Sequence, residues 1–351
     1  MSWPDAEDLL AGPRGRGLCW SVVDPGDHPG WDRVQDAAGA GDLTGLPGEL
    51  AAFVAQTDLA SIAAETGEIE LLAAVGASVD AAMYWQEPDD EDLALASQAV
   101  REALLPVARA VTAAPAARWW PTPAPRQRQQ YVEWIDDYDH SPVLTGTAAE
   151  LADWRSETIK DERSARKRPK NPSANYSGHW WSTPRPSRLP STTRSVPGIG
   201  AVGLVLVEDA FDWTEARCWP VQAPPDVRIY EVTNAQDWAE LVGRYPLDVS
   251  KSRRHDWWRV TGWAGSWVIP DFTAVASDYD AVHLTAAGYL TTAGWAVPVG
   301  QARTVLAGWN PDETYWLTDV LTHAGPAAHW ERQEDMLTWA LATPGTGPPD
   351  A

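Results

Sequence analysis

The sequence predicts an α+β protein: a helical N-terminal region followed by a C-terminal, mostly antiparallel sheet with short helices. Three observations carry this. Through residues 68–111 apolar residues recur at spacings of three and four, the period of a helix that buries one stripe. From about residue 198 the pattern changes to short apolar runs punctuated by Gly, Pro, Asn and Asp, as strands and turns require. The links between those runs are mostly too short for parallel crossovers, so neighbouring strands are expected to run antiparallel.

A short helix is expected around 48–64, with Leu50, Phe53 and Val54 apolar. In EIELLAAVGASVDAAMYW (68–85), Ile69, Leu72, Val75 or Gly76, Val79 and Met83 form one stripe. In 91–111, Leu93, Val100, Leu104, Val107 and Val111 do the same; acids at its start suit the helix dipole, and Pro106 is expected to kink it. The proline-rich 112–130 ends the periodicity. A further helix over 145–168 starts at Thr caps, sets Leu151, Trp154, Thr158 and Ile159 on one side, and ends in a basic cluster from Lys160 to Lys170.

Beyond it, GIGAVGLVLV (198–207) reads as a buried strand, followed by a turn at 208–212 and a returning strand. VRIYEV (227–232) is a strand, 234–246 a helix capped by Asn234, and 257–269 a hairpin about Gly262–Gly265. A short helix and then a strand are expected in 270–285, with further strands at 303–309 and 314–320. The final residues, 342–351, are expected to be disordered. The chain is thereby divided into a helical region (1–130), a connecting helix and basic linker (131–175), an α+β domain (176–335) and a partly disordered tail (336–351).

Composition bounds the function classes. With 351 residues, 44% hydrophobic and 22 Trp, the chain can bury a large core. Its two cysteines, Cys19 and Cys218, are far apart, which argues against a disulfide framework or a thiolate metal site and suits a reducing compartment. The start, MSWPDAEDLL, lacks the basic and apolar stretches of a secretory signal. The longest apolar run is half the length of a membrane span. A cytoplasmic protein without a membrane partner is expected. The net charge is −22, and residues 1–150 carry 25 acidic against 8 basic side chains. An acidic half of this kind repels nucleic acid and suits either plain solubility or a basic protein partner.

Most chemical motifs are missing. The seven histidines show no H-x-x-x-H or H-E-x-x-H spacing, and no C-x-x-C occurs, so no metal is expected. DDYDH (136–140) lacks the Gly and spacing of a calcium loop. There is no GxxxxGK[ST] and no G-x-S-x-G, and GIGAVG stands before a strand instead of between strand and helix. What remains is aromatic: RWWPTP (118–123) and HWWSTP (179–184) share W-W-x-T-P. In an extended segment adjacent side chains face opposite ways, so one ring of each pair is expected to anchor the segment and the other to face a cleft.

The order of polar pieces in the second half, WWSTP, PSTTR, YEV and then DYDAVHLT, resembles the ADP-ribosyltransferase fold over about residues 175–320. The resemblance implies NAD as substrate and no metal. It implies Ser191, Thr192 and Thr193 as the hydroxyl motif, and Glu231, with Glu208 as second choice, as the carboxylate that stabilises an oxocarbenium-like transition state. Ser191, Thr193 and Glu231 then form the catalytic set. Trp180, Trp181, Thr192 and His283 would line the pocket, and Arg185, Arg188 and Arg194 would face the pyrophosphate. No Q-x-E or E-x-E turn is present within residues 175–320. WWSTP, SRRHDWWR and AGWNPDETYWLTDV also resemble a tryptophan-rich family of high-GC actinobacteria, a likeness that implies no activity. Against the enzyme stand two other readings: a non-catalytic immunity-type or regulatory protein that engages a basic partner, and a small-molecule binder using the paired Trp.

Overall fold

In the computed structural model, residues 5–24, 29–40, 44–60, 62, 67–136, 142–185, 188–210, 213–333 and 338–342 are described. Most of DDYDH and of the expected tail lies outside them. The first third is helical: α1 (Ala6–Leu9), α2 (Pro13–Val23), α3 (Pro29–Ala40), α4 (Leu46–Val54), α5 (Glu68–Asp80), α6 (Asp90–Leu95) and α7 (Gln98–Ala113). Leu72, Val75 and Val79 of α5 are buried as their spacing requires, but the stripe turns through Leu71, leaving Ile69 and Met83 exposed. The expected 91–111 helix is two helices. Ser97 interrupts it because its hydroxyl accepts from Val100 N–H and starts α7, which continues through Pro106.

The α+β class holds. One sheet contains ten strands, eight of them in the order β14 (Trp339–Leu341), β13 (Ala328–Arg332), β4 (Glu215–Gln222), β1 (Gln129–Trp134), β2 (Ser191–Val196), β11 (Thr314–Trp316), β8 (Ala281–Leu284), β5 (Ile229–Val232). Two short strands attach to it, β3 (Gly200–Ala201) on β2 and β12 (Thr322–His323) on β4. Every pairing is antiparallel except β5 with β8. Two small hairpins stand apart, β6 (Pro246–Asp248) with β7 (Val268–Pro270) and β9 (Val297–Val299) with β10 (Ala302–Thr304). The remaining helices are α8 (Thr147–Ser164), α9 (Ala235–Arg244), α10 (Arg254–Thr261), α11 (Phe272–Val275) and α12 (Ala286–Thr292).

Three sequence expectations are corrected. The 198–207 run is not a strand. Gly198 and Gly200 take φ of +83° and +89°, only Gly200–Ala201 pairs, and a single 3-10 turn follows over Val202–Leu204. Most of its apolar residues are buried because the segment lies between other elements, with the partly buried Val205 against Gly76 of α5. Residues 254–261 form α10 and not a hairpin arm; Gly262 at φ +67° is its left-handed C-cap, so its role is to end a helix. Strand β1 was not foreseen at all. It occupies the middle of the sheet although the 129–134 run is polar at 129, 130 and 133 and follows four prolines between 115 and 125, and it straddles the boundary drawn at residue 130.

Helix α12 ties the two halves together. All seven of its residues are buried, and it contacts α1, α2 and α9. Gly15 of α2 lets the backbones close up: a Cβ there would lie 2.9 Å from Leu290 O. One continuous apolar cluster consequently runs from Ala6 to Leu317.

Across the sheet lies a chain of alternating charges. Arg194 Nε donates to Asp312 Oδ1 at 2.6 Å, and its backbone N–H donates to Oδ2 at 2.9 Å. His283 Nε2 faces the same Asp312 at 3.2 Å, while Nδ1 faces Glu231 Oε2 at 2.5 Å. Burial alone would lower the His283 pKa, but Glu231 and Asp312 raise it from 6.5 to about 9. With a carboxylate on each ring nitrogen, His283 is an imidazolium at neutral pH. Burial acts to raise the Asp312 pKa, and Arg194 and His283 more than reverse it. Arg194 also donates to Thr122 Oγ1 and to Thr122 and Pro123 carbonyls, and Ala124 N–H donates to Glu231. The first W-W-x-T-P segment is thus docked at both ends, with Trp120 buried and Trp119 beneath the Arg194 guanidinium at 4.9 Å.

Breaking this chain leaves a buried charge unmatched. Asp312→Ala is expected to cost about 3–5 kcal/mol in chemical denaturation. The His283 contribution is fully present below its unfolded pKa of 6.5 and is lost as pH rises through about 9. Melting temperature measured from pH 6 to 10 should therefore fall more steeply for the parent than for His283→Gln; parallel curves would disprove the assignment.

Candidate functional site

The second W-W-x-T-P segment is held to the 307–308 backbone. Ser182 N–H donates to Ala307 O at 2.9 Å, Ala307 N–H donates to Ser182 Oγ at 3.1 Å, and Thr183 Oγ1 donates to Gly308 O at 3.0 Å. The Trp180 carbonyl accepts from Trp257 Nε1 at 2.6 Å and the Trp181 carbonyl from Arg253 Nε at 3.2 Å. Gly308 takes φ +74°, and a Cβ there would stand 2.6 Å from Trp181 Cβ, so this approach needs glycine. Neither ring of the pair is fully buried. Trp180 packs on Trp85 at 4.9 Å and Trp181 stacks on His179 at 4.8 Å, and both face one cavity.

That cavity, about 620 Å³, is walled by the Trp pair, β1, β2, the 207–209 loop and the start of β11. Its volume lies within the range of small-molecule sites. Arg185 reaches into it half-exposed (48%), donating to Tyr315 OH at 2.6 Å and standing 3.4 Å from Glu313. Tyr315, which accepts its hydrogen bond, and the Glu313 carboxylate raise the Arg185 pKa against the effect of burial. Of the strand hydroxyls, Thr192 is engaged by Gln129 and Trp316 and Thr193 by Asp312, whereas Ser191 makes no side-chain hydrogen bond among the described residues.

Glu208 is the anomalous group. It is 9% exposed, and its Oε2 accepts from Gly308 N–H at 2.7 Å while Oε1 is buried without a hydrogen-bond partner. Its own N–H donates to Asn310 Oδ1 at 2.9 Å, so the 208 and 308–310 segments hold each other reciprocally. Burial is the main cause that pushes its pKa from 4.5 to about 8; Tyr289, the Gly308 N–H, Arg185 and Arg14 oppose it without cancelling it. The acid is mostly protonated at pH 7. A neutral carboxyl in an aromatic cavity can donate a hydrogen bond or a proton, and it becomes an anion when a cation enters.

The structure brings together Trp180, Trp181, Arg185, Ser191, Thr192, Thr193 and Glu208. It does not bring in Glu231, His283 or Arg194, which belong to the charge chain described above, nor Arg188, whose N–H is exposed and donates to Glu150. Tyr315, Glu313 and Asn310 were missed by sequence reasoning. A carboxylate directly after an apolar run, as in GLVLVED, was the available signal for Glu208. Among the described residues no group of three or more potential ligands is placed to hold a metal, and no helix is long and apolar enough to cross a membrane.

A carboxyl whose folded pKa is raised stabilises the fold below its unfolded value and loses that contribution as pH rises through the folded one. Glu208→Gln is therefore expected to match the parent near pH 4.5 and to exceed it by on the order of 3 kcal/mol near pH 9. Denaturant titrations at the two pH values check this, and a variant less stable at both would contradict the burial assigned to Glu208. Comparisons of the chain with protein-family models, curated proteins and solved structures returned no match, so the function rests on the geometry of the site.

Proposed function

We propose that the cavity between the Trp pair and Glu208 is the active site of an NAD-consuming, ADP-ribosyltransferase-like enzyme, with Glu208 and not Glu231 as the reacting carboxyl. The observation that carries the proposal is the convergence of a buried, half-paired carboxyl with two indole rings, a hydroxyl-bearing strand and an accessible guanidinium. The nicotinamide ring of NAD is a cation. Against the indoles it is stabilised by the aromatic π-systems, and beside Glu208 it lowers the carboxyl's pKa and expels its proton.

In the reaction the ribose C1′–nitrogen bond breaks and nicotinamide departs with the electron pair. Positive charge left on the ribose is stabilised by the Glu208 anion, itself held in a buried, aromatic-walled part of the cavity. Water or an acceptor hydroxyl then forms the new C1′–O bond and yields its proton to Glu208. Arg185, although bound by Tyr315, is half-exposed and supplies a donor for a phosphate oxygen. Ser191 is the hydroxyl best placed to orient the ribose, since its neighbours' hydroxyls are already engaged.

The reading that makes this a partner-binding protein draws less support. Of the acids at 87–92, Asp89 caps α6 and Asp92 pairs with Arg14, so the acidic segment serves internal structure.

Incubation with NAD is expected to release nicotinamide, detected by chromatography. Glu208→Gln should slow release by about 100-fold or more, while Glu231→Gln lowers thermal stability and leaves the rate of the folded fraction within a small factor of the parent. Binding without cleavage would reduce the site to a nucleotide binder. Neither binding nor release, or a loss confined to Glu231→Gln, would overturn the proposal.

A further inference from the structure

A second cavity, about 400 Å³, opens on the helical side between α2, the 81–96 stretch and the 294–303 turn. Two arginines of α2 line it and are treated differently. Arg14 is ion-paired, although its Nε has no hydrogen-bond partner: Nη1 donates to Ser78 O at 2.6 Å and Nη2 to both oxygens of Asp92 at 3.0 and 2.8 Å. Arg16 is 8% exposed, and its Nη1 donates to the Leu10 and Ala11 carbonyls at 3.2 and 3.0 Å. Among the described residues its Nε and Nη2 have no hydrogen-bond partner, and no carboxylate lies within 4 Å of it. Burial, which the more distant Asp92 only partly offsets, lowers its pKa to about 10.

A buried cation with one unpaired edge is a costly arrangement that an incoming anion relieves. The Nε–Nη2 edge is the one that meets both oxygens of a carboxylate side by side. Above this floor the mouth is apolar in an unusual way for a surface. Met83 is 41% and Leu93 53% exposed, and both line the cavity together with Trp295 and Val260. Exposed apolar side chains gathered over a buried polar group mark a ligand site more than a solvated surface. The indole of Trp295 is fixed by its Nε1–H bond to Thr291 O at 3.1 Å, so this wall is preformed.

We propose that this second cavity binds a small carboxylate with an apolar body. Its carboxylate takes the free edge of Arg16, and its body lies against Met83, Leu93 and Trp295. Glu87, exposed at the rim, is placed to favour a ligand that also carries an ammonium group, as an apolar amino acid does.

Titration calorimetry of the full chain with 3-phenylpropanoate, L-phenylalanine, 3-phenylpropanamide and inorganic phosphate tests this. Binding by either carboxylate is expected at micromolar to millimolar concentration, with the amide at least tenfold weaker. Ala96→Trp, at an exposed lining position, should fill the mouth and abolish binding without lowering the melting temperature; Arg16→Gln should abolish it from the floor. If Arg16→Gln does not fold, Ala96→Trp alone decides. No binding by either carboxylate, equal binding by the amide, binding by phosphate alone, or binding that survives Ala96→Trp would each overturn the proposal.

Discussion

The buried ion chain Arg194–Asp312–His283–Glu231 is the constraint on which the rest of the sheet depends. Its members come from β2, the turn before β11, β8 and β5, four pieces distant in sequence but adjacent in the sheet order. Charges of alternating sign sum to zero, which makes their burial tolerable; removal of any one does not. Asp312 also adopts φ +58°, an unusual backbone for a side-chain-bearing residue. The cost of that conformation is offset by its three hydrogen-bonding partners on β2 and β8: Arg194, Thr193 and His283. Because Asp312 is held there, the flanking Asn310 and Glu313 are also held, and these are the residues that reach the 208 segment and Arg185.

The cavity is therefore framed from two sides by different physics. On the sheet side, charge pairing fixes the turn at 310–313 in a low-dielectric interior. On the Trp side, hydrogen bonds between 182–183 and 307–308 fix an irregular segment that cannot join a ladder. Both W-W-x-T-P segments are pinned loops, yet they differ in what they leave over. The first has its polar groups consumed by Arg194 and Glu231, with one indole buried. The second leaves two half-buried indoles and Arg185 facing open volume.

Elements with a clean period were legible in the sequence. Helix α9 follows its Asn234 cap, whose side chain accepts from Gln236 and Asp237 N–H, and Trp238, Leu241 and Val242 are buried as spaced. Strands β5 and β8 fall where their apolar runs stand. Elements set by tertiary contact were not legible. Helix α2 carries two glycines, Gly15 and Gly17, poor helix formers in its first turns, and these small residues admit α12 and Ser78 at close range. Strand β1 owes its place to two antiparallel neighbours, β2 and β4, instead of to its own pattern. In the site, the Trp pair, Arg185 and the 191–193 hydroxyls could be nominated from composition. Choosing between Glu208 and Glu231 could not be, because that choice turns on which carboxyl has a cationic neighbour.

That difference decides the chemistry each carboxyl can perform. Glu231 sits 2.5 Å from an imidazolium and also accepts from a backbone N–H. Using it as a proton acceptor would first require breaking an ion pair that the sheet needs. Glu208 has no side-chain cation in contact; its one hydrogen-bond donor among the described residues is the Gly308 N–H, with the Tyr289 hydroxyl near enough to oppose part of the effect of burial. Tyr289 in turn lies 3.4 Å from the Tyr84 hydroxyl, and burial raises the pKa of both phenols, so neither competes for the proton. A carboxyl left neutral by burial, with one oxygen unpaired, keeps its full response for whatever charge arrives in the cavity. A cation entering there gains a counter-ion that the empty site did not have to solvate, and this is the energetic advantage of holding the site as an acid.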